Sequence, residues 1–259
     1  MTYIHIDIED LLGKSFTDCV KYPRIFIPLI LGTVFSVIAS GIMAYMIETG
    51  SVSVNFIFPI VVLVLLSIVV QLWFYEEAKD ATGHKKESVT EALYRTLMLL
   101  PRFLGASIVY VLMIVAVITV FGLCIALASV LPSFVSILWM VFVFLLMAVA
   151  LFYVIISSIY FAPIIFLEKS PWYRCGIDAF IYASNKKLES FVIMVIMILM
   201  VGISMVPQII FTFFQEQTYQ IYFNPIYYVV SIPVLLVSAY SGVIMFNLYL
   251  MQKKVFKKY

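Results

Sequence analysis

One short segment holds acidic residues and a histidine at a spacing that could bind a metal ion. Glu76, Asp80 and His84 recur at intervals of four, which would place their side chains on one face of a helix as metal ligands. Gly83 instead favours the end of that helix, and the charged residues at 85–87 are typical of a loop in solvent. The sequence therefore predicts a solvated loop here and no metal site.

Motifs for catalysis are missing from the sequence. No GxSxG, HExxH or Walker sequence occurs, and Glu76-Glu77 lacks the downstream arginine and membrane histidines of a prenyl-protein protease. Only one further histidine, His5, could contribute to a catalytic dyad. We predict no catalytic, cofactor-binding or metal-binding residue, no cofactor and no enzymatic activity. An enzyme that acts on lipid through His84 is kept as a third hypothesis for the function, besides a lipid-associated scaffold and a permease subunit.

The three cysteines are widely separated in the chain. Cys19, Cys124 and Cys175 form neither a CxxC pair nor the framework of a small disulfide-rich domain. Cys19 falls on the apolar face of a predicted surface helix, and Cys175 lies within another such segment. We expect both thiols to pack against lipid.

The overall composition excludes the usual soluble classes. The chain has 259 residues, of which 64% are hydrophobic and 12% are charged, and its mean hydropathy is +1.13. Soluble domains average about half apolar and a quarter charged. Nucleic-acid binders, disulfide scaffolds, disordered tails and ordinary cytosolic enzymes are thereby excluded. We predict a single integral membrane domain over 1–259, and residues 1–10 lack the pattern of a cleaved signal peptide.

Long stretches without charge give the number of membrane crossings. A crossing needs roughly 20 apolar residues, and the uncharged stretches are 25–47, 56–75, 103–167, 191–215 and 221–250. The third is long enough to cross twice, and Pro132-Ser133 near its middle can turn the chain between antiparallel helices. The sequence predicts an all-α, polytopic bundle of six transmembrane helices.

The basic residues predict the orientation. Lys and Arg collect in short loops on the cytoplasmic side, and in this six-span arrangement all 16 fall on one side. The opposite loops, at 48–55, 129–133 and 216–220, contain none. We predict a multi-pass protein of the cell membrane with both termini in the cytoplasm. Four lysines follow the last span and either attract anionic headgroups or only fix this orientation: Lys253, Lys254, Lys257 and Lys258.

Three segments outside the spans show the pattern of cytoplasmic amphipathic helices on the membrane surface. The first has apolar residues at helical spacing, namely Ile8, Leu11, Leu12, Phe16, Cys19 and Val20. The second begins with the capping box Ser88-Val-Thr-Glu91, and the third begins at Ser170-Pro171. Asp18 falls on the polar side of the first helix.

The same layout suggests a threefold internal repeat with units at 7–80, 88–168 and 170–253. The first two units enter the bilayer through Tyr22-Pro-Arg and Leu100-Pro-Arg, whereas the third shares only the order of a surface helix, a span, a short outer turn and a span. Any six-span protein with short outer loops would alternate in this way, so the alternative is an unrepeated bundle.

Polar and small residues within the spans indicate helix contacts rather than a site. No charged residue lies inside the predicted spans, so a proton-coupled carrier is disfavoured. The polar residues are Asn55, Ser67, Gln71, Ser107, Thr119, Ser157, Ser158, Gln208, Asn224 and Asn247. We expect them to bond to neighbouring helices or to their own backbone. Small residues predict close helix contacts at Gly32, Ser36 and Ser40, at Gly122 and Ala126, and at Ser238 and Gly242.

These boundary signatures resemble a known family. The Pro-Arg entrances, Phe161-Ala-Pro-Ile-Ile-Phe-Leu-Glu168 and Ala-Phe-Ile-Tyr-Ala-Ser184 resemble an uncharacterised group of prokaryotic six-span proteins. That group is similar to the membrane domain attached to some glycerophosphodiester phosphodiesterases. The hydrolase domain, with its acidic metal ligands and paired histidines, has no counterpart here. The resemblance therefore implies a fold and a membrane location, and no phosphodiesterase activity.

Two functions remain as the main hypotheses. The first is a non-catalytic membrane protein that associates with lipid, as a scaffold or as a subunit of a membrane assembly. The alternative is a permease subunit of an ATP-driven transporter, with residues 76–97 docking on a separate ATPase. The predicted partners are membrane lipids, a second copy of the chain or other membrane subunits, and an ATPase under the alternative, with no nucleic acid.

Overall fold

The computed structural model describes residues 7–50, 54–83, 88–168, 170–185, 187–214, 221–222 and 224–256, without the side chains of 54–56 and 254–256. The helices are α1 (Ile8–Lys21), α2 (Phe26–Thr49), α3 (Val54–Gly83), α4 (Val89–Leu127), α5 (Ser133–Leu167), α6 (Cys175–Asn185), α7 (Lys187–Phe213), α8 (Pro225–Val230) and α9 (Ile232–Phe256). Two 3₁₀ turns, Pro23–Ile25 and Ala128–Val130, lie between helices. No strand occurs in the described part of the chain.

Six stretches of helix are long and apolar enough to cross a membrane, as the sequence predicts. They are Pro23–Thr49, Ile57–Gly83, Val89–Val130, Ser133–Leu167, Lys187–Phe213 and Pro225–Lys253. The longest uncharged stretch divides at Ala128–Val130, and Pro132 precedes the first residue of α5. The chain is therefore an all-α, multi-pass membrane protein.

Polar side chains begin several of these helices. The Asp7 carboxylate accepts from the amides of Glu9 and Asp10 at 2.9 and 3.3 Å and caps α1. Ser88 and Glu91 form the predicted capping box: the Glu91 amide donates to Ser88 Oγ at 3.2 Å and the Ser88 amide donates to Glu91 Oε2 at 3.4 Å. These bonds satisfy amides that have no partner within the helix.

The described helices group into two compact units. The first comprises Met1–Leu100 and Val195–Tyr259, and the second comprises Pro101–Met194. In the first unit α2 packs on α3, and α9 packs on α1, α2 and α3. In the second unit α5 packs on α6. These boundaries differ from those of the three predicted repeats.

Glycines mark close helix contacts in both units. A Cβ at Gly32 would lie 3.3 Å from Val70, and one at Gly242 would overlap the ring of Phe74. In the second unit a Cβ at Gly105 would lie 2.9 Å from the ring of Trp172. The contacts at Gly32 and Gly242 confirm two of the small-residue predictions.

The prediction for Gly122 and Ala126 is wrong. Both residues are exposed, and a Cβ at Gly122 would meet no atom within 4 Å. Small residues at four-residue spacing allow helices to approach each other, but they do not by themselves bring a partner helix.

The second predicted surface helix is not a separate element. Pro23 ends α1 and begins a 3₁₀ turn, whereas Pro101 lies inside the 39-residue helix α4. The same Pro-Arg dipeptide therefore follows the end of a helix at Pro23 and lies within a continuous helix at Pro101. A proline removes one main-chain hydrogen bond, and the surroundings decide whether the helix ends there.

The third predicted surface helix begins later than expected. Residues 172–174 form a turn, in which the Arg174 amide donates to the Pro171 carbonyl at 2.9 Å. The helix α6 then begins at Cys175 and buries Cys175, Gly176, Ala179 and Ala183. Pro171 thus begins a turn rather than occupying the first position of the helix.

Candidate functional site

The charged end of α3 is the main feature that the sequence did not predict. The helix continues past Tyr75 to Gly83, and Glu76, Glu77 and Asp80 are at most 1% exposed. We expected these residues to lie outside the spans and to lead into a solvated loop. Burying a carboxylate is costly unless a cation or a hydrogen-bond donor compensates it. The partners of these carboxylates therefore define the site.

Glu77 is bound by two donors from different elements. Arg24 Nη2 donates to Glu77 Oε1 at 3.1 Å, and Trp73 Nε1 donates to the same oxygen at 2.9 Å. Arg24 lies in the 3₁₀ turn before α2, and Trp73 precedes Glu77 by one turn of α3. The contact therefore fixes the beginning of α2 against the last turns of α3.

Glu76 contacts two cations. Lys79 Nζ binds Glu76 Oε1, and Arg95 Nη1 lies 4.0 Å from the same oxygen. Lys79 Nζ is also 4.0 Å from Asp80 Oδ1. We call Arg24, Glu76, Glu77, Lys79 and Asp80 the ionic cluster. Arg24 from the 3₁₀ turn and Arg95 from α4 reach these carboxylates from other elements, so the charges join parts of the chain that are distant in sequence.

Tyr22 borders the ionic cluster between α1 and α2. The guanidinium of Arg24 lies 5.7 Å from the centroid of its ring. Burial raises the pKa of Tyr22 to about 12, and the negative charges of Glu77 and Asp80 act in the same direction while Arg24 opposes them. The phenol therefore stays neutral at physiological pH.

A second set of buried polar contacts joins α1 to α9. Asn247 Nδ2 donates to Asp18 Oδ2 at 3.0 Å and to Ser15 Oγ at 3.2 Å. All three residues are at most 3% exposed. Asp18 was expected on the polar side of a surface helix, yet it faces the interior because Asn247 supplies a donor there. Cys19 is 6% exposed, so the prediction that it packs against lipid is wrong.

Leu12, Phe16 and Val20 of α1 lie on a different side of the helix from Asp18. Tyr240 Oη donates to the Leu12 carbonyl at 2.9 Å, and the rings of Tyr240 and Phe16 meet edge to face at 6.2 Å. Phe16 and Val20 remain 61% and 62% exposed. The buried face of α1 is therefore partly polar, while part of its apolar face stays open.

In the second unit Arg102 follows a proline, as Arg24 does in the first. Arg102 Nη2 donates to the carbonyls of Glu168 and Ser170 at 2.7 and 2.8 Å. Arg102 follows Pro101 in α4, and Glu168 follows the last residue of α5. Arg102 Nη2 is also 3.8 Å from Cys175 Sγ. Cys175 is fully buried, so it does not pack against lipid as we predicted.

Seven of the ten polar residues that the sequence places within the spans bond as predicted, and Asn247 is among them. Ser67, Thr119, Ser157 and Ser158 each donate to a carbonyl of their own helix. Between helices, Tyr110 Oη lies 2.9 Å from Ser157 Oγ, and Gln208 Nε2 donates to Ser231 Oγ at 2.6 Å. Asn224 caps α8 through the Ile226 amide at 3.0 Å. The side chain of Asn55 lies outside the described residues.

The residues considered as metal ligands divide into two groups. Glu76 and Asp80 belong to the ionic cluster, whereas His84 and His5 lie outside the described residues, as do residues 85–87. Among the residues that the structure describes, no three histidine, cysteine, aspartate or glutamate side chains are arranged to hold a metal ion. Of the four C-terminal lysines only the Lys253 side chain is described, 5.7 Å from the Tyr249 ring centroid.

Comparison with known proteins adds no relative. No family model matches the chain, and neither a curated protein nor a solved structure matches it. Function must therefore be inferred from the residues themselves.

Proposed function

We propose that this chain is a non-catalytic, lipid-associated membrane protein that acts as a scaffold or as a subunit of a membrane assembly. The observation that carries the proposal is the placement of α1. Buried contacts from Asn247 hold α1 against α9, while Phe16 and Val20 stay exposed. A fixed helix with open apolar side chains beside a membrane span is suited to contact lipid.

The contacts of α1 favour a helix that lies in the membrane surface. Leu12 and Phe16 meet Tyr240, and Ser15 and Asp18 meet Asn247. The two α9 residues are roughly 10 Å apart along their helix, yet each meets residues one turn apart on α1. The helix α1 therefore crosses α9, with Phe16 beside Tyr240 and Asp18 beside Asn247.

The basic residues favour the predicted orientation. Arg24, Lys79 and Arg95 converge on the carboxylates at one end of α3, and that end is cytoplasmic by the rule that Lys and Arg remain inside. Both termini then lie in the cytoplasm of a cell-membrane protein. In this account α1 and α6 are amphipathic helices at the cytoplasmic surface.

The two Pro-Arg arginines support an internal repeat. Arg24 contacts a residue near the end of α3, and Arg102 contacts the carbonyl that follows α5. In each case an arginine at the entrance of a hairpin binds the exit of the same hairpin. We also propose the resemblance to the membrane domain of glycerophosphodiester phosphodiesterases, from which we infer location and fold but no hydrolysis.

The ionic cluster supports a structural rather than a catalytic function. Glu76 and Glu77 each contact cations at one end of the helix bundle. A general acid or base needs access to a substrate, and both carboxylates are completely buried. Their contacts instead join the 3₁₀ turn before α2, the end of α3 and the start of α4.

The alternative is a permease subunit that docks on an ATPase. One observation favours it: the start of α4 carries exposed apolar side chains, with Tyr94 at 60% and Met98 at 65% exposure. The first part of the suggested docking segment is less suitable, because Glu76 and Asp80 are buried. Docking would therefore depend on α4 residues beyond the capping box.

Photo-cross-linking in native membranes tests the proposal. A photoreactive amino acid replaces Phe16, and a matched variant carries it at Thr17, which is also exposed but on another face of α1. We expect phospholipid adducts at position 16 and far fewer at position 17. Protein adducts at position 16 without lipid would contradict the proposal. A further variant carries the photoreactive amino acid at position 98 in place of Met98, and an ATPase adduct there would favour the alternative.

A further inference from the structure

We propose that a groove beneath α1 binds one acyl chain of a membrane lipid whose headgroup carries an amine. This inference rests on the proposed lipid association and names the site and the lipid class. The groove is open to the surroundings, has a volume of about 640 Å³ and is lined by Ile8, Glu9, Leu12, Gly13, Phe16 and Tyr240.

Contacts within the protein form the groove before any lipid arrives. Tyr240 Oη donates to the Leu12 carbonyl at 2.9 Å, and the Phe16 ring packs edge to face on Tyr240. Asn247 holds the next turn of α1 through Asp18. A ligand that enters such a site does not have to order the helix first, so less binding energy is lost.

Gly13 leaves space along one side of the groove. A Cβ at this position would meet no atom within 4 Å. A larger side chain could therefore occupy the groove without disturbing the packing of α1. This makes position 13 suitable for a variant that competes with the ligand.

The walls favour a hydrocarbon chain. Ile8, Leu12, Phe16 and Tyr240 present apolar surface, which is unfavourable to leave in contact with water. Leu236 precedes Tyr240 by one turn of α9 and is also apolar and 53% exposed.

Glu9 favours an amine at the polar end of the ligand. It is the charged residue among the described residues that line the groove, and its side chain is exposed. Asp10 follows it and is exposed as well, whereas the Asp7 carboxylate already accepts from both of their amides. An ammonium group would be attracted here and an anionic headgroup repelled.

Lipid retention tests the groove. The protein is placed in nanodiscs with equal amounts of phosphatidylethanolamine and phosphatidylglycerol bearing identical chains, released, and weighed by native mass spectrometry. We expect one phosphatidylethanolamine to remain bound. Gly13→Phe should lower its retention about tenfold, whereas Gly202→Phe, at another exposed glycine with open space around it, should leave retention unchanged. Glu9→Lys should reverse the preference toward phosphatidylglycerol, and Glu9→Gln should remove it.

The outcomes separate this inference from the proposed function. Equal retention by the unaltered protein and Gly13→Phe, or an unaltered preference in Glu9→Lys, overturns the groove as a selective lipid site. If Phe16 still cross-links to lipid in that case, the proposed lipid association stands. Protection of Cys19 from a thiol reagent verifies that each variant keeps α1 in place, because Cys19 is buried only while α1 is packed.

Discussion

Arg24 Nη2 donates to the buried Glu77 Oε1 at 3.1 Å, and this contact joins the start of one membrane hairpin to its end. Arg102 holds the next hairpin differently, because it donates to main-chain carbonyls at Glu168 and Ser170. The two hairpins share the position of the arginine and differ in the chemistry of the acceptor. That difference gives a direct test of what each contact contributes.

The first prediction concerns the coupling of Arg24 with Glu77. Arg24→Met and Glu77→Gln should each destabilise the protein, and the double variant should lose less than the sum. We expect an interaction free energy of about 0.5–3 kcal/mol, measured from unfolding in mixed micelles. Additive losses would contradict the contact.

Arg102 supplies the control for this cycle. Its partner at position 168 is a carbonyl, which Glu168→Gln leaves in place. Arg102→Met should therefore lower the free energy of unfolding by the same amount in the unaltered protein and in the Glu168→Gln variant. A coupling as large as that of the first pair would mean that the Glu168 side chain, rather than its main chain, binds the arginine.

The second prediction concerns the attachment of α1 by Asn247. Asn247→Ala removes the amide that donates to Asp18 and Ser15, and a lost hydrogen bond to a charged group costs about 1.5–3 kcal/mol. We expect faster labelling of Cys19 in a background with Cys124→Ser and Cys175→Ser. Burial also raises the pKa of the Cys19 thiol, so the packed state should react slowly. Thr119→Ala, which loses only a bond within its own helix, should leave labelling unchanged, and equal rates in all variants would contradict the attachment.

The third prediction concerns the close approach of α9 to α3. Gly242→Ala would place a Cβ over the buried ring of Phe74, and overpacking of this kind costs about 1–3 kcal/mol of unfolding free energy. Phe74→Leu should restore part of the loss in the double variant. Gly122→Ala, with open space around it, should not destabilise the protein, since alanine is the better helix former. A neutral Gly242→Ala would show that the two helices can separate slightly.

The fourth prediction concerns orientation. Single cysteines at Ser51 or Gln217, in a background without the native cysteines, should react with an impermeant thiol reagent added outside cells. A cysteine at Ser88 should react only after the membrane is opened. The reverse pattern would invert the topology and place the ionic cluster on the outer side.

Much of the fold follows from the sequence because the membrane imposes simple requirements. Uncharged stretches of sufficient length gave the six spans, and Pro132 marked the turn between α4 and α5. The capping box at Ser88 was also recognisable, since its two residues interact locally. These features depend on length and on near neighbours in the chain.

The ionic cluster depends on partners distant in sequence. Glu77 is buried because Arg24 reaches it from 53 positions away, and Asp18 is buried because Asn247 reaches it from 229 positions away. Helical periodicity places Asp18 on the polar side of α1, and only the packing of α9 reverses that assignment. One signal was available: Trp73 precedes Glu77 by four residues, where an indole can bind a carboxylate one turn on.

Native mass spectrometry of the protein, extracted gently from its own host, records bound lipids and co-purifying subunits together and so distinguishes the two proposed functions. We expect the protein to retain a defined lipid class and no ATPase to accompany it. A reproducible complex with an ATPase, without retained lipid, would overturn the proposed lipid association and make the permease subunit the better description.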